Sequence, residues 1–539
     1  MSQATASLER RRATPPGLFD RLSEWARYGP FAVLLVAAVA RLAGLGYPRK
    51  LIFDETYYVK DAWTLWHLGY EGTWPSGAGD LPAGFTDVNT AFEAGHVDFY
   101  TAAAQYVAHP PLGKWIIGLG EVVAGGAQNP SGWRLSVAIV GILAVGLTMV
   151  VAHRMFQTPL VTTLAGGLFA IENQAIVLSR VGLLDNIVML LALAAFACVL
   201  EDRFFTERRF GAWLMRRRRG IGDWGPALLW RPWLIGAGAA LGFCSAVKWS
   251  GIYFLAAFAL YVVGTDLLLR RRAGVRFWAV AGLLKQAPIV ALSLLPTAVA
   301  AYLIGWTGWF VTSSGYDRRY LEDGGQRFTG LLAWVPAPLQ NLWAWTTNIY
   351  AFHTGLSTPH PYQSPAILWP LIARPTSMYW DATAGTCGQD SCVSAITDLP
   401  NPLIWYAAVA ASVYLVVRFI RRREWQAALI LMGFVGGYLP WLQYPNRTMF
   451  FFYSIAFEPY LLLALAATIG LMVVRPPELD TAAELRSAEL SYGLRIRRGV
   501  IGGFLIAAVL LSAFFFPISA GIPVPYQFWH IHMWSPTWI

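Results

Sequence analysis

Two adjacent carboxylates, Asp54 and Glu55, stand in the run Phe53, Asp54, Glu55, Thr56, Tyr57, Tyr58, a few residues past an apolar stretch that ends near residue 46. Neighbouring acids in a partly dehydrated layer repel each other, which raises at least one carboxyl pKa and makes a base. The plainer alternative is an acid pair that caps a helix over 57–69. Further on come His109, Pro110, Pro111, Leu112, Gly113 and Lys114. Pro111 suits the first turn of a helix, so an open helix N-terminus, an imidazole and an ammonium would meet there and suit a phosphate. A proline-rich turn with a snorkelling lysine is the competing reading.

Charges in or beside apolar stretches carry more information, because each costs a few kcal/mol in a bilayer unless paired or wet. They are Arg41, Arg134, Glu172, Arg180, Asp185 and Lys248. Arg134 is expected to touch an anionic ligand or the acid pair. Arg180 and Asp185 flank a tight helical hairpin and could simply pair with each other, and Lys248 is read either as touching an anionic ligand or the acid pair or, with them, as a supporting residue. In a later polar segment His353, His360 and Tyr362 supply ring and hydroxyl groups beside Trp369 and Trp380, as a sugar needs. Arg447, in the run Tyr444 to Thr448, could clamp a phosphate. Cys387 and Cys392 lie five apart in a polar loop and, in an oxidising compartment, would stand either as a small disulfide or as two free thiols; no metal-ligand spacing accompanies them. Asp-x-Asp and Gly-rich phosphate-loop patterns are lacking, so a nucleotide-sugar site is not expected.

The elements that must position these groups are membrane helices. The chain has 539 residues, 56% hydrophobic and 13% charged, with a net charge of +10 carried in short basic clusters between apolar stretches. That pattern fits membrane flanks and speaks against a nucleic-acid face. Eleven stretches approach the roughly 20 apolar residues of a spanning helix: about 28–46, 132–151, 160–177, 183–200, 232–247, 251–268, 286–306, 403–417, 427–442, 450–474 and 500–519. With the tail 1–27 in the cytoplasm, eleven crossings place all five Arg-rich clusters on the cytoplasmic side. The segment 111–126 holds Lys114 and Glu121 and reads as a helix in the outer interface rather than a twelfth crossing. The first span lacks a cleavage signature and reads as an uncleaved anchor. An all-α polytopic domain over 28–519 results, with long outer loops at 47–131 and 307–402 and an outer tail at 520–539. Loops of that length are usually functional.

Taken in order, several runs resemble the protein O-mannosyltransferases, membrane glycosyltransferases of the C superfamily. They are the Asp54-Glu55 run, the His109 to Lys114 run, the Arg134 helix start, Ser179-Arg180 with Leu183-Leu184-Asp185, Val247-Lys248-Trp249, and Arg447 with Met449-Phe450 before Tyr453. The resemblance implies a GT-C fold, a catalytic acid pair Asp54 and Glu55, and a polyprenyl phosphate mannose donor. It implies no required cofactor and no metal. Eukaryotic members carry a β-trefoil module in the second long loop, and the 96 residues of 307–402 are too few for it. The bacterial form fits better, and 36 Arg against 5 Lys suit an actinobacterial source.

The expected reaction is mannose transfer, with inversion, to Ser or Thr hydroxyls of secreted or membrane proteins at the outer face of the cell membrane. Asp54 would act as base and Glu55 would orient the acceptor or Asp54, while His109, Lys114, Arg134 and Arg447 hold the leaving phosphate and His353, His360 and Tyr362 face the sugar. Expected partners are the bilayer, the lipid donor, Ser/Thr-containing acceptors and the secretion machinery. One alternative is a related enzyme acting on a lipid or cell-wall glycan. A transporter or flippase is another, and it would place charges near the midplane instead of the outer helix ends.

Overall fold

The computed structural model describes residues 28–75, 77, 79–216, 224–382, 385–473 and 484–539, with backbone alone over 484–491. The tail 1–27 with its basic cluster, and parts of the clusters at 217–223 and 474–483, lie outside the described residues. The elements used below are α1 (Gly29–Leu42), α2 (Glu55–Leu68), α3 (Leu112–Val123), α4 (Pro130–Phe156), α5 (Pro159–Ile171), α6 (Asn173–Leu178), α7 (Asp185–Arg216) and α8 (Pro232–Val247). There follow α9 (Gly251–Arg272), α10 (Ala287–Gly305), α11 (Ala337–Gly355), α12 (Pro402–Arg422), α13 (Trp425–Gly437), α14 (Glu458–Val473) and α15 (Glu484–Ala520).

Every one of the eleven expected stretches holds a helix. Among the described residues six are long and apolar enough to cross a membrane: α4, α9, Trp278–Gly305, α12, Trp425–Gln443 and Tyr492–Ala520. Four more, α1, α5, α8 and α14, are apolar but shorter, and α7 is apolar in its first half and charged beyond Glu201. Two expected spans are corrected. The stretch 160–177 breaks at Glu172, whose carboxylate caps α6 by accepting from Ala175 N at 3.1 Å. The stretch 450–474 begins with a 3-10 turn, Phe451–Ala456, and its α-helix starts only at Glu458.

Local rules explain the helix ends. Asn129 caps α4 by accepting from Ser131 N, and Pro130 occupies its first turn, where a missing N–H does no harm. Three arginines, Arg270 to Arg272, close α9 at its carbonyl end. Helices α8 and α10 approach closely because Gly238 and Gly242 face them; a Cβ there would lie 2.4 Å from the Leu294 carbonyl oxygen and 2.1 Å from that of Ala298.

One element departs from the all-helical expectation. Strands β1 (Thr376–Ala382), β2 (Cys392–Asp398) and β3 (Val524–Pro525) form an antiparallel sheet in the order β1-β2-β3. It ties the second long loop to the segment after α15. Cys387 and Cys392 are joined, with Sγ atoms 2.00 Å apart, in the β1-β2 connection. The interfacial helix expected over 111–126 is α3, packed between α2 and α4.

Candidate active site

The first loop turns sharply at Phe53, which adopts a positive φ of 49°. That conformation is uncommon for a bulky residue and is held here by packing: the Phe53 ring lies edge-on to Phe450, Phe452 and His360 at 5.5, 5.6 and 6.2 Å. The turn sends the two neighbouring carboxylates to different fates.

Glu55 is wholly buried. Its Oε1 accepts from Arg134 Nε and from Gly182 N, both at 2.7 Å, and its Oε2 from Arg134 Nη2 at 2.8 Å and Ile52 N at 3.1 Å. Arg134 is equally buried and also donates to the carbonyls of Leu45, Pro48 and Lys50. Glu55 therefore has no free lone pair directed at a substrate, and Arg134 has no N–H left for an anion. A substrate-facing Glu55 and a phosphate-holding Arg134 are corrected, while the expected contact of Arg134 with the acid pair is present: this pair bolts the first loop to the start of α4 and to the 179–184 turn.

Asp54, one residue earlier, is half-buried and makes a single long contact, from the Tyr58 hydroxyl to its Oδ2 at 3.5 Å. Burial pushes its pKa up to about 6, opposed by the nearby Lys248 ammonium and reinforced by Asp185. A carboxylate with that pKa is ionised at neutral pH yet more basic than an ordinary aspartate.

Lys114 does not reach a ligand site. Only 1% exposed, it is enclosed by Asp61, at 3.6 Å, and by Glu71. Burial raises the Asp61 carboxyl to about 7, against the pull of Lys114. The lysine that does line a cavity is Lys248, which follows α8. Its ammonium meets both carboxylate oxygens of Asp185, at 2.9 and 2.8 Å, and lies 4.5 Å from the centre of the Tyr453 ring. Asp185 thus pairs with Lys248 and not with Arg180. The Arg180 guanidinium instead closes the end of α1 by donating to the carbonyls of Ala40, Arg41, Ala43 and Gly44.

A cavity of about 920 Å³ opens beside Lys248. Its polar wall holds His109, Lys248, Tyr253, His353, Tyr444 and Arg447; its apolar wall, from α9, α10 and α11, holds Ile252, Leu255, Leu295, Val299, Leu339 and Leu342. The His109 and His353 rings stack at 5.0 Å. Burial drives the His109 pKa well below the usual histidine range and that of His353 to about 4, so both are neutral at pH 7. His353 has its Nε2 2.7 Å from the Ala108 carbonyl, and its Nδ1 faces Arg447 Nη2 at 3.3 Å. Those partners fix a neutral ring protonated on Nε2. Arg447 Nε donates to the His353 carbonyl at 2.9 Å, while Nη1 is buried with no hydrogen-bond partner. A buried cationic N–H without an acceptor beside a cavity is poised for an anion.

His360 and Tyr362 are corrected as well. Neither lines this cavity: His360 packs on Phe450 at 4.9 Å, and Tyr362 faces a second pocket beside the sheet. Of the expected residues, then, His109, His353, Arg447 and Lys248 line the cavity, and Asp54, which does not, lies within electrostatic reach of Lys248. Asp54 joins them through Tyr58, whose ring lies 6.2 Å from His109. Sequence reasoning missed Tyr58 as a partner of Asp54, together with Tyr253, Tyr444 and Tyr453. Their clustering at outer helix ends was the available signal, and it reads equally as an aromatic belt.

Polytopic helices, an acid at a loop turn and a cation-walled cavity running into an apolar groove define a membrane enzyme built for an amphipathic, anionic substrate. Residues 96–304 match the family described as dolichyl-phosphate-mannose-protein mannosyltransferase, and residues 338–538 match the C-terminal four TMM region of protein-O-mannosyltransferase. The polyprenol-phosphate-mannose--protein mannosyltransferase of Mycolicibacterium smegmatis (strain MKD8) is 31% identical over 542 residues, covering 97% of this chain and 95% of that one. That of Corynebacterium glutamicum is 29% identical over 530 residues, covering 96% and 94%. The S. cerevisiae protein O-mannosyltransferase Pmt1-Pmt2 complex bound to the sugar donor shares the fold, with a TM-score of 0.65 at 14% identity over 95% of this chain and 92% of that one. The chain belongs to the protein O-mannosyltransferase family, membrane glycosyltransferases of GT-C fold.

Proposed function

We propose that this chain transfers mannose from polyprenyl phosphate mannose to Ser or Thr hydroxyls of proteins, using Asp54 as the base. The observation that carries the reading is the cavity, whose Lys248 ammonium is within electrostatic reach of Asp54 and whose apolar wall suits the start of a prenyl chain. Phosphate would meet Arg447 Nη1 and the Lys248 ammonium, which has three N–H groups and spends two of them on Asp185. The neutral imidazole of His109 adds a further hydrogen bond.

In one displacement the acceptor oxygen bonds to the anomeric carbon as the bond from that carbon to the phosphate oxygen breaks. Asp54 takes the hydroxyl proton. Negative charge growing on the leaving phosphate is met by groups already in place, which cost no reorganisation in the transition state. Attack opposite the leaving group inverts the anomeric centre. Glu55 and Arg134 serve by fixing the turn from which Asp54 projects.

The same reading places the active site outside the cell membrane, with the N-terminus in the cytoplasm. Arg-rich helix ends lie opposite the site, as at Arg270 to Arg272 of α9, and the loop carrying the Cys387–Cys392 bond suits an oxidising compartment. Purified protein incubated with labelled polyprenyl phosphate mannose and a Thr-containing peptide should yield an inverted mannosyl peptide. A product that retains the anomeric configuration, or transfer only to lipid or glycan acceptors, would refute the proposal.

A further inference from the structure

The second pocket lies between strands β1 and β2 and the segment after β3, with a volume of about 250 Å³. Tyr362, Trp380, Tyr526 and Trp529 give it ring faces, and Ser377 and Thr397 add hydroxyls. No carboxylate, amide or cationic side chain lines it, whereas a saccharide subsite needs such groups to satisfy ring hydroxyls. Trp529 is 7% exposed, and its Nε1–H has no partner. A buried indole donor ordinarily finds an acceptor, so the pocket holds an unused donor among aromatic rings. That combination suits an extended peptide, whose backbone carbonyl takes the N–H while a proline or aliphatic side chain packs on the rings.

Its place in the fold gives it a use. The chain runs from His353 at the donor cavity through His360 to Tyr362 at this pocket, anchored where Thr448 N donates to the Leu356 carbonyl and Ser364 N to the Met449 carbonyl. On the far side, Tyr362 lies 6.2 Å from His360, and His360 6.2 Å from Phe53, the residue before Asp54. About four extended residues cover that distance.

We infer that the aromatic pocket is an acceptor subsite, which takes a proline or aliphatic residue of the polypeptide about four positions from the hydroxyl that receives the sugar. The inference rests on Asp54 as the base and on a protein acceptor. It supplies a hold on unfolded, extended chain that is independent of the reacting residue.

The test is steady-state transfer by full-length protein, with peptides carrying one Thr and either proline or glycine four residues before or after it. Trp380 is half-exposed, so Trp380→Ala should fold; it should raise KM for a proline peptide about tenfold while the donor KM and kcat stay near the parent values. Trp529→Phe, which keeps an aromatic ring but removes the N–H, should raise the same KM less. The parent protein should prefer one of the proline peptides to its glycine counterpart, and Trp380→Ala should erase that preference. If parent protein mannosylates peptides but Trp380→Ala leaves their KM unchanged, this inference falls and the transferase reading stands. If no peptide is mannosylated, the underlying reading falls first. A Trp380 effect confined to peptides that already bear mannose would make the pocket a saccharide site and overturn the proposal.

Discussion

Replacing Glu55 with Gln separates two readings of the acid pair, because the substitution keeps shape and removes charge. In the parent, four N–H donors converge on the two carboxylate oxygens, two at each. An amide accepts at one oxygen only and presents its own N–H groups to the other pair, so two buried donors lose their acceptor. The Arg134 guanidinium also loses its only counter-charge among the described residues while remaining wholly buried. Breaking a buried ion pair from one side costs about 3–5 kcal/mol. Glu55→Gln should therefore lower the unfolding midpoint of detergent-purified protein substantially, and activity should fall with the fraction folded. Arg134→Met should cost at least as much, since three carbonyls lose a donor too. The double variant should cost less than the two singles combined, with a coupling of about 1–3 kcal/mol, because no lone charge is left behind. A Glu55→Gln protein with the parent midpoint and no transfer activity would refute this reasoning and return Glu55 to a chemical role.

Asp54 should behave in the opposite way. With a folded pKa of about 6, kcat/KM should fall as the pH drops through 6 and the base is protonated, and Asp54→Asn should lower kcat by about a hundredfold to ten-thousandfold. The pKa is raised on folding, so any stabilising effect belongs to the protonated form: it is complete below the unfolded value near 3.8 and lost as the pH rises through about 6. Asp54→Asn should therefore be at least as stable as the parent at pH 8, checked by the same thermal assay. The two lysines should also part company. Lys114→Met strands Asp61 and Glu71 and should cost about 3–5 kcal/mol of stability, whereas Lys248→Met should in addition weaken transfer per folded molecule, measured as kcat/KM for the donor. Leu295, half-exposed on the apolar wall, tests the groove: Leu295→Trp should raise KM for a long-chain donor more than for a short-chain analogue.

The helices were legible because hydrophobic length is a local property, and all eleven stretches contain one. Asp54, His109 and Arg447 were legible because rare residue types stand in short runs at helix ends. What decided their roles is not local. Asp54 and Glu55 are adjacent, and only the positive φ at Phe53 and the arrival of Arg134, 79 residues away, leave one carboxylate with a single long contact and make the other a bolt. Lys114 and Lys248 look alike in sequence; the first is spent on Asp61 and Glu71, the second stands at a cavity wall. The sheet went unread because β1 and β2 are short, and their third strand comes from residues 524–525. Tyr253 and Tyr444, whose hydroxyls lie 2.9 Å apart in the cavity, were indistinguishable from interfacial anchors.

Placing the donor itself tests the account most directly. The Asp54→Asn protein bound to intact polyprenyl phosphate mannose, imaged by electron microscopy, should show the phosphate within hydrogen-bond reach of Arg447 Nη1 and Lys248 Nζ. The prenyl chain should run past Leu295 and Val299, with the anomeric carbon open toward residue 54. Phosphate seated at Lys114 or Arg134, or a sugar turned away from residue 54, would contradict it.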